Sequence, residues 1–274
     1  MDLQKSIQKA KRIREASAQS ISTRTSMQQM KEEGSGWVSP VYCDCRNVEL
    51  NRKKAGLNRC LCVSLDAPEL GYYKVLRTQI QHRCIENGWN TLMITSIQPG
   101  EGKTLTSINL ALAFAQEFTR TVLLVDCDLK RQSIHKQLGF QGDKGLVDYL
   151  VDDVPLEDLI VWPGIEKLTL ISGGRSVPNT AELLSSPKMK TAVAEMKRRY
   201  QDRYVIFDLP PLLSAADALA FSPLVDGILI VVQAERTRLP DIQEALDMVP
   251  EDKFLGFVLN RQRAKMDGYY YYKY

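Results

Sequence analysis

Histidine is almost missing: His82 and His135 are the only two in 274 residues, and they lack the spacing of paired metal ligands. Long apolar runs are missing too. No stretch approaches the ~18 residues of a transmembrane helix, and no secretory leader pattern opens the chain. Excess charge is small, with a net of +3, and no aromatic–basic pattern marks a surface for nucleic acid. The expectation is a protein with no nucleic-acid partner. Its six cysteines, without a leader, imply a reduced, cytoplasmic setting. What is present, 44% hydrophobic residues, suffices for one sizeable core, or one core and an appendage.

The charge is uneven. Residues 1–60 hold 12 Lys/Arg and 6 Asp/Glu, a net of +6 that leaves −3 on the remainder. Leu3, Ile7, Ala10 and Ile13 fall on one helical face among basic residues, which suits an anionic membrane surface or, more simply, a frayed terminal helix. Residues 21–40, rich in Ser, Thr, Gln and Gly, read as a linker. Cys43, Cys45, Cys60 and Cys62 form two C-x-C pairs. Zinc sites usually space their thiols wider, so the alternation of a half-buried strand is favoured over metal. Cys84 and Cys127 read as core residues.

The stretch Thr91–Thr104 organises the chain. The apolar run Leu92–Ile94 ends in Pro99-Gly100-Glu101-Gly102-Lys103-Thr104, and a helical pattern follows over Leu105–Phe118. Strand, glycine-rich turn and helix opening on Lys-Thr is the layout of a phosphate-binding P-loop. Gly100 and Gly102 would let backbone N–H groups close on phosphate oxygens, Lys103 would reach the β- and γ-phosphates, and Thr104 would hold Mg²⁺. Ile97 stands where the strict pattern has its first Gly, so the motif is a variant. A Gly-Lys-Thr triplet alone also starts ordinary helices.

Helical periodicity runs from Pro68 to about Ile85. Beyond it, strand-like runs (Leu92–Thr95, Val122–Val125, Leu168–Ile171, Val205–Phe207, Ile228–Val232, Leu255–Leu259) alternate with helices. The longer helices are Thr104–Phe118, Pro187–Tyr200 and Pro240–Val249, with shorter ones near Leu146, Ala181 and Ala216. The expected fold is α/β, a P-loop NTPase with a mostly parallel central sheet and helices on both faces. Its ligands would bind at the carboxyl ends of the strands. Two runs end there in acid: Asp126-Cys127-Asp128, and Asp208. These carboxylates suit Mg²⁺ beside a P-loop, or they simply cap helices and turns. Asp226, ahead of its strand, reads as a turn residue.

From Ser64 to its end the chain resembles the bacterial tyrosine kinases that regulate capsule and exopolysaccharide synthesis. The sequence Pro99–Thr104 is similar to that family's Walker A, which also lacks the first Gly. Leu124–Arg131 is similar to its Walker A′, and Val205–Pro211 to its Walker B. The septum-positioning and DNA-partitioning ATPases share these motifs. The end of the chain separates the two groups: Tyr269, Tyr270, Tyr271, Tyr272 and Tyr274 place five of 11 tyrosines in six residues. On residue type alone such a tail is a mobile aromatic segment that docks on a partner. The resemblance makes it the autophosphorylation site.

That resemblance implies a MgATP-dependent autokinase whose tail is phosphorylated between subunits, regulating exopolysaccharide or capsule synthesis or export. Catalysis falls to Lys103, Asp126, Asp128 and Asp208. Nucleotide contacts fall to Gly100, Glu101, Gly102, Lys103, Thr104, Leu105 and Asn260, and metal contacts to Thr104, Asp126 and Asp208. Lys130 and Arg131 would meet phosphate or a neighbouring subunit. The implied domains are a basic extension and linker over 1–62, a kinase domain over 63–264 and the tail over 265–274. The implied partners are further copies of the chain, a membrane-anchored polysaccharide chain-length (co-polymerase) protein as activator, and a tyrosine phosphatase. The implied place is the cytoplasmic face of the plasma membrane. The family's ring motif, Glu-x-x-Arg-x-x-Arg, aligns on Gly71, Lys74 and Arg77, so two of its three charged positions are altered. The long extension is also similar to that of the autokinases found beside exosortase-type systems. The rival reading is a nucleotide-switched positioning or scaffold ATPase whose tail only binds a partner.

Overall fold

The computed structural model describes residues 45–60, 67, 69–117, 120–199 and 202–262. The basic segment, the linker, Cys43, Cys62 and the tyrosine cluster lie outside the described residues. The chain divides into two units, 1–38 and 39–274, and only the second contains described residues.

One eight-stranded sheet organises this unit. Its strands are β1 (Arg46–Asn47), β2 (Thr91–Ser96), β3 (Thr121–Asp126), β4 (Val161–Trp162), β5 (Leu168–Ile171), β6 (Arg203–Asp208), β7 (Gly227–Gln233) and β8 (Phe254–Asn260). They lie in the order β1-β4-β5-β3-β6-β2-β7-β8, and every neighbouring pair is parallel except β4 with β5. All six expected strands are present, most a residue longer at one or both ends.

The helices are α1 (Arg52–Leu57), α2 (Glu69–Asn87), α3 (Lys103–Ala115), α4 (Ile134–Leu138), α5 (Leu146–Asp152), α6 (Thr180–Ser185), α7 (Pro187–Arg198), α8 (Asp217–Phe221) and α9 (Leu239–Asp247). Ser186 starts α7 by accepting a hydrogen bond from the Met189 amide, with Pro187 at the first helical position and Lys197 and Arg198 in the last turn. The helix expected to reach Phe118 ends earlier, at Ala115.

Two cores flank the sheet, because parallel strands are covered on both faces. Met93, Leu123, Val125, Val205 and Phe207 feed one core, and Leu92, Ile94, Val122, Leu124 and Ile206 feed the other. Strands β2, β3 and β6 are buried along their whole length. The β3–β6 register sets Asp126 directly opposite Asp208.

Residues 45–60, read from sequence as part of an extension ending at 62, are built into this unit. Strand β1 pairs with β4, and Ala55 and Cys60 are buried in the second core. Helix α1 separates Cys45, which is half-buried, from the buried Cys60; the other member of each C-x-C pair lies outside the described residues. Asn51 caps that helix by accepting a hydrogen bond from the Lys54 amide at 2.9 Å.

Candidate active site

The turn from β2 into α3 carries the central feature. Gly100 and Gly102 have φ of 85° and 97°, left-handed values that favour glycine. At Gly102 space forbids a side chain as well, because a Cβ would lie 2.2 Å from Asn260 Nδ2. Asn260, at the end of β8, donates that Nδ2 to the Glu101 carbonyl at 2.7 Å and accepts from the Arg261 amide at 2.8 Å. Its amide group therefore braces the loop. The Glu101 side chain also faces inward. Its Oε2 accepts from the Ile97 and Gln98 amides, each at 2.8 Å, and its Oε1 accepts from the Thr237 hydroxyl.

Lys103 lies among carboxylates. Its Nζ is 2.8 Å from Asp128 and 3.5 Å from Asp208. Burial works against its charge, but Asp208 and Asp128 outweigh this and raise its pKa. Asp208 is fully buried, accepting from the Thr104 hydroxyl at 2.6 Å and the Ser107 hydroxyl at 3.0 Å. Burial raises the Asp208 pKa, against the pull of Lys103.

Asp126 is buried as well. It accepts from the Asp128 amide at 3.2 Å, and from the Ser133 and Ile134 amides at 3.0 and 3.1 Å. Burial, then the charge of Asp208, pushes its pKa to about 7. These contacts fold the loop after β3 back on itself and leave Asp128 facing Lys103. Lys130 pairs with Asp217 at 3.4 Å, and the Arg131 amide donates to Asp128 at 3.1 Å.

An open cavity of about 1080 Å³ lies above this cluster. Gly100, Gly102, Lys103, Thr104, Leu105, Asp128, Lys130, Arg131 and Asn260 line it, so most of the expected site residues meet there. Asp126, Asp208 and Glu101 are not among the lining residues. The two aspartates stand behind the cavity wall and the glutamate within the loop.

Sequence reading missed two hydroxyls, Ser107 and Ser133. The latter donates to Thr104 Oγ1 at 3.1 Å. Ser107 was within reach, because it sits four residues beyond Lys103 on one helical face. Arg59 also lines the cavity, from a segment expected to lie outside the domain.

The donor set is oxygen-rich and hard: Thr104, Asp126, Asp128 and Asp208. Mg²⁺ is usually held by one or two carboxylates plus phosphates and water, so a compact protein cage is not required. Among the described residues no group of three or more His, Cys, Asp or Glu forms such a cage. These residues therefore fit a magnesium nucleotide.

The model of the AAA domain family matches residues 90–252. The chain is 34% identical over 203 residues to "Tyrosine-protein kinase YwqD" of Bacillus subtilis (strain 168), covering 73% of this chain and 84% of that one. Its fold is similar to that of the kinase domain of Escherichia coli tyrosine kinase ETK. That match has a TM-score of 0.69 and 29% identity over 78% of this chain and 84% of the other. A more distant likeness is to the septum site-determining protein MinD of Pyrococcus horikoshii OT3, solved with Mg-ADP. There the TM-score is 0.52 and the identity 26%, over 63% of this chain and 70% of that one.

Proposed function

The chain belongs to the bacterial protein-tyrosine kinases, and from that premise we propose that it transfers the γ-phosphoryl group of ATP to the tyrosines of its own C-terminal cluster, Tyr269–Tyr272 and Tyr274. The observation that carries this reading is the Lys103–Asp128 pair at the floor of the cavity, backed by Asp208 and braced by Asp126. Lys103 stabilises charge on the transferring group. A phenol has a pKa near 10 and needs help to attack at neutral pH. Asp128, the carboxylate that lines the cavity, accepts the phenolic proton. The tyrosine oxygen–phosphorus bond forms as the bond to the bridging β–γ oxygen breaks, and ADP leaves. Thr104 and Asp208, with Asp126 behind, are the residues for Mg²⁺, which when bound neutralises phosphate charge.

The cluster serves as acceptor for a neighbouring copy, so phosphorylation runs between subunits. Each phosphate adds roughly −1.5 to −2 charges, and a loaded tail would be repelled from an acidic site, favouring release. Gly71 and Lys74 are exposed on α2, while Arg77 donates to the Ala113 carbonyl at 3.0 Å and so serves its own chain. Assembly through the altered ring motif therefore relies on other contacts. Among the described residues no helix is long and apolar enough to cross a membrane. The reading includes a separate membrane-anchored polysaccharide co-polymerase as activator at the inner face of the plasma membrane, and a tyrosine phosphatase to reset the tail. The process regulated is exopolysaccharide or capsule synthesis.

Intact and peptide mass spectrometry after incubation with MgATP tests this. Phosphate on Tyr269–Tyr274, absent from Lys103→Met and from a chain ending at Gly268, is the expected result. Nucleotide turnover without phosphotyrosine, with or without the co-polymerase's cytoplasmic segment, would replace the kinase with a scaffold ATPase. Equal mass in solution before and after phosphorylation would remove the release step.

A further inference from the structure

Arg59 reaches the nucleotide cavity from outside the matched domain, which begins at residue 90. Its placement is built from several contacts. The Arg59 carbonyl accepts from Asn109 Nδ2 of α3 at 3.1 Å, and the Asn58 side chain donates to the Gln137 carbonyl of α4 at 2.9 Å. Cys60, on its other side, is buried. Residue 59 is thus pinned between the helix that begins at the P-loop and the helix that follows the Asp126–Ser133 turn.

Its backbone is left-handed, with φ of 61°, held by bonds from the Arg59 amide to Gly56 and from the Cys60 amide to Ala55, both 2.9 Å. Glycine or asparagine would sit there with less strain. That conformation closes helix α1, and it leaves an exposed arginine at the rim of the cavity. Three of the other cations at the cavity are engaged, Lys103 with Asp128, Lys130 with Asp217 and Arg261 with Gln233, while Arg131 bonds Asp128 through its backbone amide. Among the described residues no carboxylate forms a salt bridge with Arg59.

Position along α3 indicates which part of a nucleotide this arginine meets. Asn109 lies six residues beyond Lys103, roughly 9 Å along the helix axis. The backbone of residue 59 thus meets α3 beyond its first turn, away from the Lys103 end, and its side chain lines the same cavity as Leu105. We propose that Arg59 is a nucleotide-binding residue that holds the α- and β-phosphates of ATP and ADP, so that the 45–60 segment is part of the active site. The proposal rests on the nucleotide-binding reading above.

Equilibrium binding to the full chain tests it, using a fluorescent ATP analogue displaced by ATP or ADP. Arg59→Gly suits the left-handed backbone and removes the guanidinium, Arg59→Gln keeps a stem without charge, and Arg59→Lys keeps charge without the fork. The expected result is about a ten- to hundredfold loss of affinity in the first two variants, equal for ATP and ADP, with partial recovery in Arg59→Lys. The nucleotide-free melting temperature of Arg59→Gly should not fall. Full affinity in Arg59→Gln, or a loss confined to ATP or to turnover at saturation, would overturn the proposal. Failure of the wild type to bind either nucleotide would instead strike the underlying reading.

Discussion

Replacing Glu101 with alanine should damage the protein in a way that a direct nucleotide contact would not. Glu101 is 3% exposed, and its carboxylate holds two backbone amides and one hydroxyl. Removing it leaves the Ile97 and Gln98 amides and Thr237 without that acceptor. Hydrogen bonds to a charged group contribute about 1.5–3 kcal/mol each and are not additive, so a total loss of about 2–4 kcal/mol is expected. For a domain of this size about 2–4 °C accompanies each kcal/mol, giving a fall of roughly 4–16 °C without any nucleotide present. Urea denaturation and thermal melting of the nucleotide-free chain measure this. Glu101→Gln, which retains one acceptor oxygen, should fall between the two. Nucleotide affinity should weaken in parallel, because the loop loses its brace. A melting temperature unchanged by Glu101→Ala, with nucleotide affinity lost, would refute the reasoning and return Glu101 to direct nucleotide contact.

Asp126→Asn should slow phosphotransfer by about tenfold or more at saturating ATP, since an amide cannot accept from the Asp128, Ser133 and Ile134 amides on both of its sides; single-turnover labelling reads this. Asn260→Ala should weaken nucleotide binding several-fold and cost about 1–2 kcal/mol of stability, because the Glu101 carbonyl loses its donor; isothermal titration and urea unfolding read both effects. Asp226→Asn should destabilise without touching the cavity, because that carboxylate takes bonds from the Asn90 and Thr91 amides, the Thr91 hydroxyl and Lys197. Burial opposes its ionised form, but these bonds prevail and hold its pKa below 3.8. Such a group contributes stability above its unfolded pKa and loses it as pH falls through the lower folded value. The gap between wild type and Asp226→Asn should thus be full at neutral pH and close in acid below about pH 4.

The strands of this fold were legible because buried parallel strands are short unbroken apolar runs. Leu168–Ile171 matches its expected bounds for that reason. Strands β1 and β4 span two residues each, and β1 is exposed, so neither leaves such a run. Helix α1, Arg-Lys-Lys-Ala-Gly-Leu, buries only Ala55, and its polar face resembles a loop. At the site, spacing brought Lys103, Thr104, Asp126, Asp128 and Asp208 together. What spacing could not divide was their labour. Asp126 and Asp128 sit two residues apart at one strand end, and only the amides of Ser133 and Ile134, supplied by a turn, decide that Asp126 faces inward. Glu101 posed the same difficulty, since a residue inside a phosphate-binding turn offers its backbone and its side chain in different directions. Arg59 left no signal at all, because its place depends on contacts to Asn109 and Gln137 far along the chain.

Asp126 and Asp208 stand opposite each other in neighbouring strands. Their separation is therefore fixed by the lateral repeat of the sheet, about 4.8 Å, rather than by any loop. An insertion or deletion of one residue in β3 or β6 would turn one aspartate to the other face and, in the same stroke, exchange apolar side chains between the two cores, so that both must repack. Errors of length in these strands thus displace the site and disturb both cores together. Variation that retunes the chemistry while sparing the fold is confined to the turns: the P-loop, the segment after Asp126, and the stretch that carries Arg59.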